Sequence, residues 1–143
     1  MSGFDRHEAA WIALNRAQKQ VYQRIERALA QAGLPRLNWY DVLWELELSP
    51  EGLRPFQLEK QLLFDQSSFS RQVTRMTQEG LIEQRPTQQD RRGKVLILTP
   101  KGRTLRRQMW EVYRPMIDTA MAELIASGGL DGIAPALKPH RGT

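Results

Sequence analysis

The chain has 143 residues, 41% of them hydrophobic and 26% charged, no cysteine, and a net charge of +5. That length suits one domain with a true core, and the composition excludes a disordered chain; the longest apolar run, Ala9 to Leu14, holds six residues, far fewer than the roughly 20 that span a bilayer. Without cysteine there is no disulfide framework, thiol sensor or thiolate metal site, and the start Met1-Ser2-Gly3-Phe4-Asp5-Arg6-His7-Glu8 lacks a signal-peptide core, so a cytoplasmic protein with no membrane partner is expected.

From Trp11 to Ala32 the apolar residues Trp11, Leu14, Ala17, Val21, Ile25, Ala28 and Ala32 recur in steps of three and four, which predicts a long amphipathic helix. Gly33 and Pro35 end it. A second helix is expected with Asn38 as its N-cap and Trp39, Tyr40, Val42, Leu43 and Leu46 inside it, stopping before the turn signal Ser49-Pro50-Glu51-Gly52. A short third helix runs from Phe56 to Leu62, opened by Pro55. After the turn Leu63-Phe64-Asp65, a fourth spans Gln66 to Gln78, with Asp65 or Ser67 free to cap it. Phe69, Val73 and Met76 turn its apolar side inward, leaving Ser67, Ser70, Arg71, Thr74 and Arg75 opposite.

Gly80 closes that helix. Leu81 to Arg85 and Val95 to Thr99 read as strands joined by a polar loop of nine residues, Pro86 to Lys94. Thr99 caps and Pro100 opens a last long helix, whose stripe is Leu105, Met109, Val112, Met116, Ala120 and Leu124, widened by Trp110, Tyr113, Ile117 and Met121. Pro115 inside it predicts a kink or a break. Gly128-Gly129 ends it, and Leu130 to Leu137 can form one short final helix. The two long terminal helices carry more apolar surface than the small middle could cover, which predicts a homodimer.

Charge is concentrated in that middle. Arg54 to Arg107 holds 12 Lys and Arg against 5 Asp and Glu, a net of +7, and the rest holds 9 against 11, a net of −2. A basic centre in a near-neutral helical frame fits a nucleic-acid partner. The order helix, turn, helix, strand, charged loop, strand is that of a winged helix-turn-helix, mainly α with a small β-wing. Its fourth helix would enter the major groove. Ser67, Ser68 and Ser70 are short donors and acceptors that permit close approach, and Arg71 and Arg75, four apart, can each reach a guanine edge or a phosphate. The loop's Arg91 and Arg92, beside Gly93, make a narrow cationic tip suited to a minor groove, with Asp90 pairing with an arginine and Lys94 adding charge.

Three motifs in register, Gly80-Leu81-Ile82-Glu83-Gln84-Arg85-Pro86, Asp90-Arg91-Arg92 and Leu98-Thr99-Pro100-Lys101-Gly102, resemble the MarR family of bacterial regulators. Trp39-Tyr40-Asp41-Val42-Leu43-Trp44-Glu45-Leu46 is similar to that family's second helix. The motifs span about 37–109, and the flanking helices resemble the family by layout only. The resemblance implies a triangular homodimer on double-stranded DNA, with a module at about 37–100 and dimerisation helices at 4–33 and 101–137 of a single 143-residue domain. It places Ser67, Ser68, Ser70, Arg71 and Arg75 on the recognition helix and Asp90 and Arg92 in the wing motif, while Arg91 stands where that motif varies. Phe69 departs from the small aliphatic residue usual there. The resemblance also implies a repressor released by a small aromatic ligand, for which Trp11, Trp39, Tyr40, Trp44, Trp110 and Tyr113 offer a lining; aromatics at helical spacing serve equally as core or dimer contacts. No cofactor is implied, and His7 and His140, near opposite ends, foretell no metal site.

Two other classes compete. An architectural protein would coat DNA with little sequence preference and share the salt dependence of phosphate contacts. An enzyme is disfavoured, since the chain has no Gly-rich phosphate loop, GxSxG elbow or HExxH, and its serines have no neighbouring histidine. RNA binding is disfavoured too, for want of an aromatic strand platform.

Overall fold

The computed structural model describes residues 3–87 and 93–128. Seven elements follow one another: α1 (Gly3–Gln31), α2 (Leu37–Glu47), α3 (Pro55–Gln61), α4 (Phe69–Gln78), β1 (Ile82–Pro86), β2 (Lys94–Leu98) and α5 (Pro100–Ala126). The fold is therefore mostly helical with one small antiparallel sheet, as expected. The final helix expected at 130–137, Gly129, His140 and the wing-tip residues Asp90, Arg91 and Arg92 lie outside the described residues.

The core sits where α2 crosses the other helices. Leu29 of α1, Leu37, Val42, Leu43 and Leu46 of α2, Leu58 of α3, Met76 of α4, Ile82 and Leu96 of the sheet and Met109 of α5 are all fully buried. Each such side chain stabilises the fold by about 1.5–3 kcal/mol relative to leaving it exposed. The phase predicted for α4 holds, with Phe69, Val73 and Met76 buried.

Helix boundaries moved where the cap came from elsewhere. α1 begins at Gly3, not near Trp11. α2 starts one residue before Asn38, and its N-cap is Arg36, with no side-chain cap bond. The free N–H of Leu37 instead donates to Glu26 Oε1 of α1, whose other oxygen lies 3.0 Å from Arg36 Nε. Asn38 keeps a buried Oδ1 with no hydrogen-bond partner, so it caps nothing. α4 begins at Phe69, three residues later than expected, and neither Asp65 nor Ser67 caps it; its N-cap is Ser68, again without a side-chain bond.

The sheet pairs Ile82 with Leu98 through to Pro86 with Lys94. Both strands are thus shifted by one residue from expectation, and Pro86 and Lys94 belong to strands rather than the loop. Proline is tolerated there because it sits at the end of an edge strand. Leu53 adds a bridge on the far side of β2, its N–H donating to Leu96 O at 3.1 Å and its carbonyl accepting from Leu96 N–H at 2.7 Å. α5 is continuous through Pro115, so that proline does not break it. α1 and α5 run side by side, tied by Arg24 and Glu123 at 2.9 Å.

Candidate nucleic-acid interface

α4 owes its orientation to three ties. Its inward face fills the core. Its C-terminus turns at Gly80, whose φ of +76° favours glycine, and the Leu81 N–H returns to Met76 O at 3.0 Å. Its N-terminal half is held by Gln72, whose Nε2 donates to the Asn38 carbonyl at 3.1 Å. Gln66 donates to the same carbonyl at 3.2 Å, and Asp41 Oδ2 accepts the Phe64 N–H at 2.9 Å. The turn between α3 and α4 therefore hangs from the first turn and a half of α2.

The opposite face of α4 is exposed along its length. Ser70, Arg71, Thr74, Arg75 and Gln78 line one shallow strip. Ser67 and Ser68 are exposed in the turn just ahead of it. Arg75 Nε stands 4.0 Å from Glu79, a loose exposed pair that holds the guanidinium weakly. Thr74 Oγ1 donates to the Ser70 carbonyl at 3.0 Å, which engages its hydroxyl within the helix. Gln78 shares this face by its step of four from Thr74, a signal present in the sequence. Lys94 is exposed at the root of the hairpin.

The strand-to-helix motif has a mechanical purpose. Thr99 Oγ1 accepts the Gly102 N–H at 3.0 Å and lies 2.6 Å from Gly80 O and 2.9 Å from Leu81 O. Lys101 Nζ donates to Glu79 O at 2.7 Å. α5 is thereby pinned to the end of α4 and the start of β1, so the sheet and the exposed helix move as one body.

Behind this body lies an open cleft of about 1290 Å³. Tyr40 and Trp44 of α2, four apart, and Trp110 and Tyr113 of α5, three apart, face into it. Tyr40 stacks on Trp110 with centroids 5.9 Å apart and meets Tyr113 edge-on at 5.1 Å. Arg106 crosses the cleft's inner end. It holds Glu47 through two bonds of 3.1 and 2.9 Å, and its guanidinium lies 4.9 Å from the Trp44 ring centre. Burial pushes the Tyr113 phenol up to about 12, and burial also raises that of Tyr40, offset in part by Arg106. The outer lip is Leu62, Leu63 and Phe64, the turn that Asp41 holds.

The other two aromatics do not join this cleft. Trp39 lies on another face of α2, in a hollow with Pro35, Leu81 and Leu105. Trp11 projects from α1 and is 66% exposed. His7 is exposed on α1, and no group of three potential metal ligands occurs among the described residues. No described helix is long and apolar enough to cross a membrane.

The model of the MarR family matches residues 32–93, from the end of α1 to the root of the wing. Among solved structures the chain is similar to AbsC, a MarR family transcriptional regulator from Streptomyces coelicolor, with 26% identity, 94% of this chain and 91% of that one covered, and a TM-score of 0.78. It is similar in fold to a MarR-like transcription regulator from Bacillus cereus, at 17% identity, 95% and 100% coverage and a TM-score of 0.76. It is also similar in fold to the transcriptional repressor CouR bound to a 23-mer DNA duplex, at 22% identity, 87% and 86% coverage and a TM-score of 0.71. No curated protein matches the chain in sequence.

Proposed function

We propose that this chain, a DNA-binding transcriptional regulator of the MarR family, acts as a homodimer that represses from a palindromic operator and is released by a small aromatic ligand. The observation that carries the reading is the exposed strip of α4. Ser70, Arg71, Thr74, Arg75 and Gln78 form one face of donors and cations, backed by a fully packed face. A helix so mounted fits the major groove, where arginine reads guanine and short polar groups read the neighbouring edges. Ser67 and Ser68 would meet the backbone at its entry. The wing would carry Asp90, Arg91, Arg92 and Lys94 to the minor groove, and a repressor of similar fold is bound to a 23-mer DNA duplex.

The cleft supplies a route for release. A flat ring bound in the cleft against the stacked Tyr40 and Trp110 would press on the lip at Leu62, Leu63 and Phe64. That lip is one hydrogen bond from Asp41 and leads through residues 65–68 into α4. A shift of the turn would swing the recognition helix out of register with its groove.

The test is fluorescence anisotropy at physiological salt, with the DNA upstream of the chain's own gene against a scrambled duplex of equal length. A preference of roughly a thousandfold with two protomers per site is expected of a specific dimeric regulator. Equal weak affinity for both duplexes and for pools from unbiased site selection would establish the architectural protein instead.

A further inference from the structure

The geometry points to Arg54 as the positioning residue of the wing, an assignment that rests on the winged reading above. Arg54 precedes α3 and belongs to neither strand, yet it reaches the root of the hairpin. There the Thr87 N–H donates to the Gly93 carbonyl at 3.0 Å and closes the loop. A Cβ on Gly93 would stand 3.1 Å from Arg54 Nη1, 3.2 Å from Nη2 and 3.2 Å from Thr87 Oγ1. The near-equal distances to both terminal nitrogens mean that the end of the guanidinium fork lies across Gly93, in the space a larger residue would take.

The mount for this arginine is rigid on both sides. Leu53, just before it, is bonded in both directions to Leu96 in β2, and Leu96 is fully buried. Pro55, just after it, fixes the entry to α3, and the Arg54 N–H donates to Gln57 Oε1 at 3.0 Å. The backbone of Arg54 is thus anchored to the core while its head rests on the hairpin's open end. Such a brace holds the hairpin's root at Thr87 and Gly93 in a fixed geometry. It also lowers the ordering entropy that a loose hairpin would lose on binding DNA. A cation serving only as a phosphate contact would have no need of this fit against Gly93, and lysine would replace it.

The experiment compares Arg54→Ala, Arg54→Lys, Gly93→Ala and the double variant Arg54→Ala/Gly93→Ala in the full chain. The first readout needs no DNA: hydrogen exchange of the Thr87 amide. Exchange should rise about tenfold in each single variant and no further in the double one, with the amide of Val73 in α4 unchanged. The second is anisotropy on the duplex preferred by the wild type, where Arg54→Lys should lose affinity as Arg54→Ala does, by about five- to tenfold. Wild-type exchange at Thr87 in Arg54→Ala, effects that multiply in the double variant, or full affinity in Arg54→Lys would each overturn the assignment. If the wild type prefers no duplex, the regulator reading falls, and the Thr87 exchange still decides for or against the brace.

Discussion

Among single residues, Arg71 and Arg75 carry the sharpest consequences. Both are exposed on the outer strip of α4, and Arg75 has only a 4.0 Å pairing with Glu79 to leave behind. Replacing either by alanine should cost about 1–3 kcal/mol and flatten the preference at one base position if it reads that base. A loss that is uniform over all sequences, with a shallower salt slope, would mean a phosphate contact instead. Titration of the preferred duplex and its single-base variants separates the two. Tyr113 offers a test of the cleft's dryness. Its phenol is pushed up from 10.0 to about 12, first by burial and then by the neighbouring Tyr40. A group that holds its proton longer when folded contributes fully below pH about 10, and that contribution is lost as pH rises toward 12. Tyr113→Phe should therefore gain on the wild type in thermal stability across that window, while below it the difference stays constant. Parallel curves from pH 9 to 12 would show that the ring is well hydrated. The placement of these candidate residues was legible because helical spacing alone sorts them: 70, 71, 74 and 75 share one face, 40 pairs with 44, and 110 with 113. The same arithmetic sets Trp39 apart from Tyr40, a distinction lost when aromatics are grouped by type.

At the level of the element, the joint between β1 and α5 decides how firmly the sheet is held to α4. Gly102 lies in the first turn of α5, where an added Cβ would come within 2.1 Å of the Leu81 carbonyl oxygen and 2.7 Å of Leu98 Cδ1. The glycine of this motif is thus a requirement of packing against backbone, which cannot step aside as a side chain can. Gly102→Ala should destabilise the chain by about 1–3 kcal/mol through overpacking, outweighing the gain of up to about 1 kcal/mol that alanine brings to a helix. Urea denaturation with an unchanged slope is the measurement; equal midpoints would mean that α5 shifts without cost. The cap of this joint was readable in advance, because Thr99 and Pro100 act on the first turn of α5, whereas the fit of Gly102 against Leu81, 21 residues back, was not. Nor was the start of α2. Its first N–H is satisfied by Glu26, in a different helix, and nothing near Asn38 in the chain reveals that. The late start of α4 has a related origin. The residues 62–68 hang from Asn38 and Asp41 across the turn, and those long-range bonds prevail over the local helical pattern.

For the whole molecule, the decisive feature is the length of α1 beyond its support. Arg24 meets Glu123 near the end of α5, so the residues before it run on past the last described turns of that helix. Residues 5–16 are exposed at every position, and they include Trp11 at 66%, Ile12 and Leu14. Helices shorter than about 12–15 residues are marginal in water without packing, and an unpacked arm gains no stability from its apolar stripe. Ile125, 65% exposed at the end of α5, extends the same uncovered surface. A second copy related by a two-fold axis would cover both patches at once and would set two α4 strips side by side for a palindromic site. Trp11→Glu and Ile125→Glu should each shift sedimentation toward the monomer, and the pair together should abolish the dimer. Affinity for the preferred duplex should fall with it, because a lone protomer loses the second half-site. Far-ultraviolet dichroism should also decline as the arm of α1 frays. A dimer that survives both substitutions would move the interface away from these helix ends, and an arm that keeps its helicity as a monomer would remove the physical reason for one.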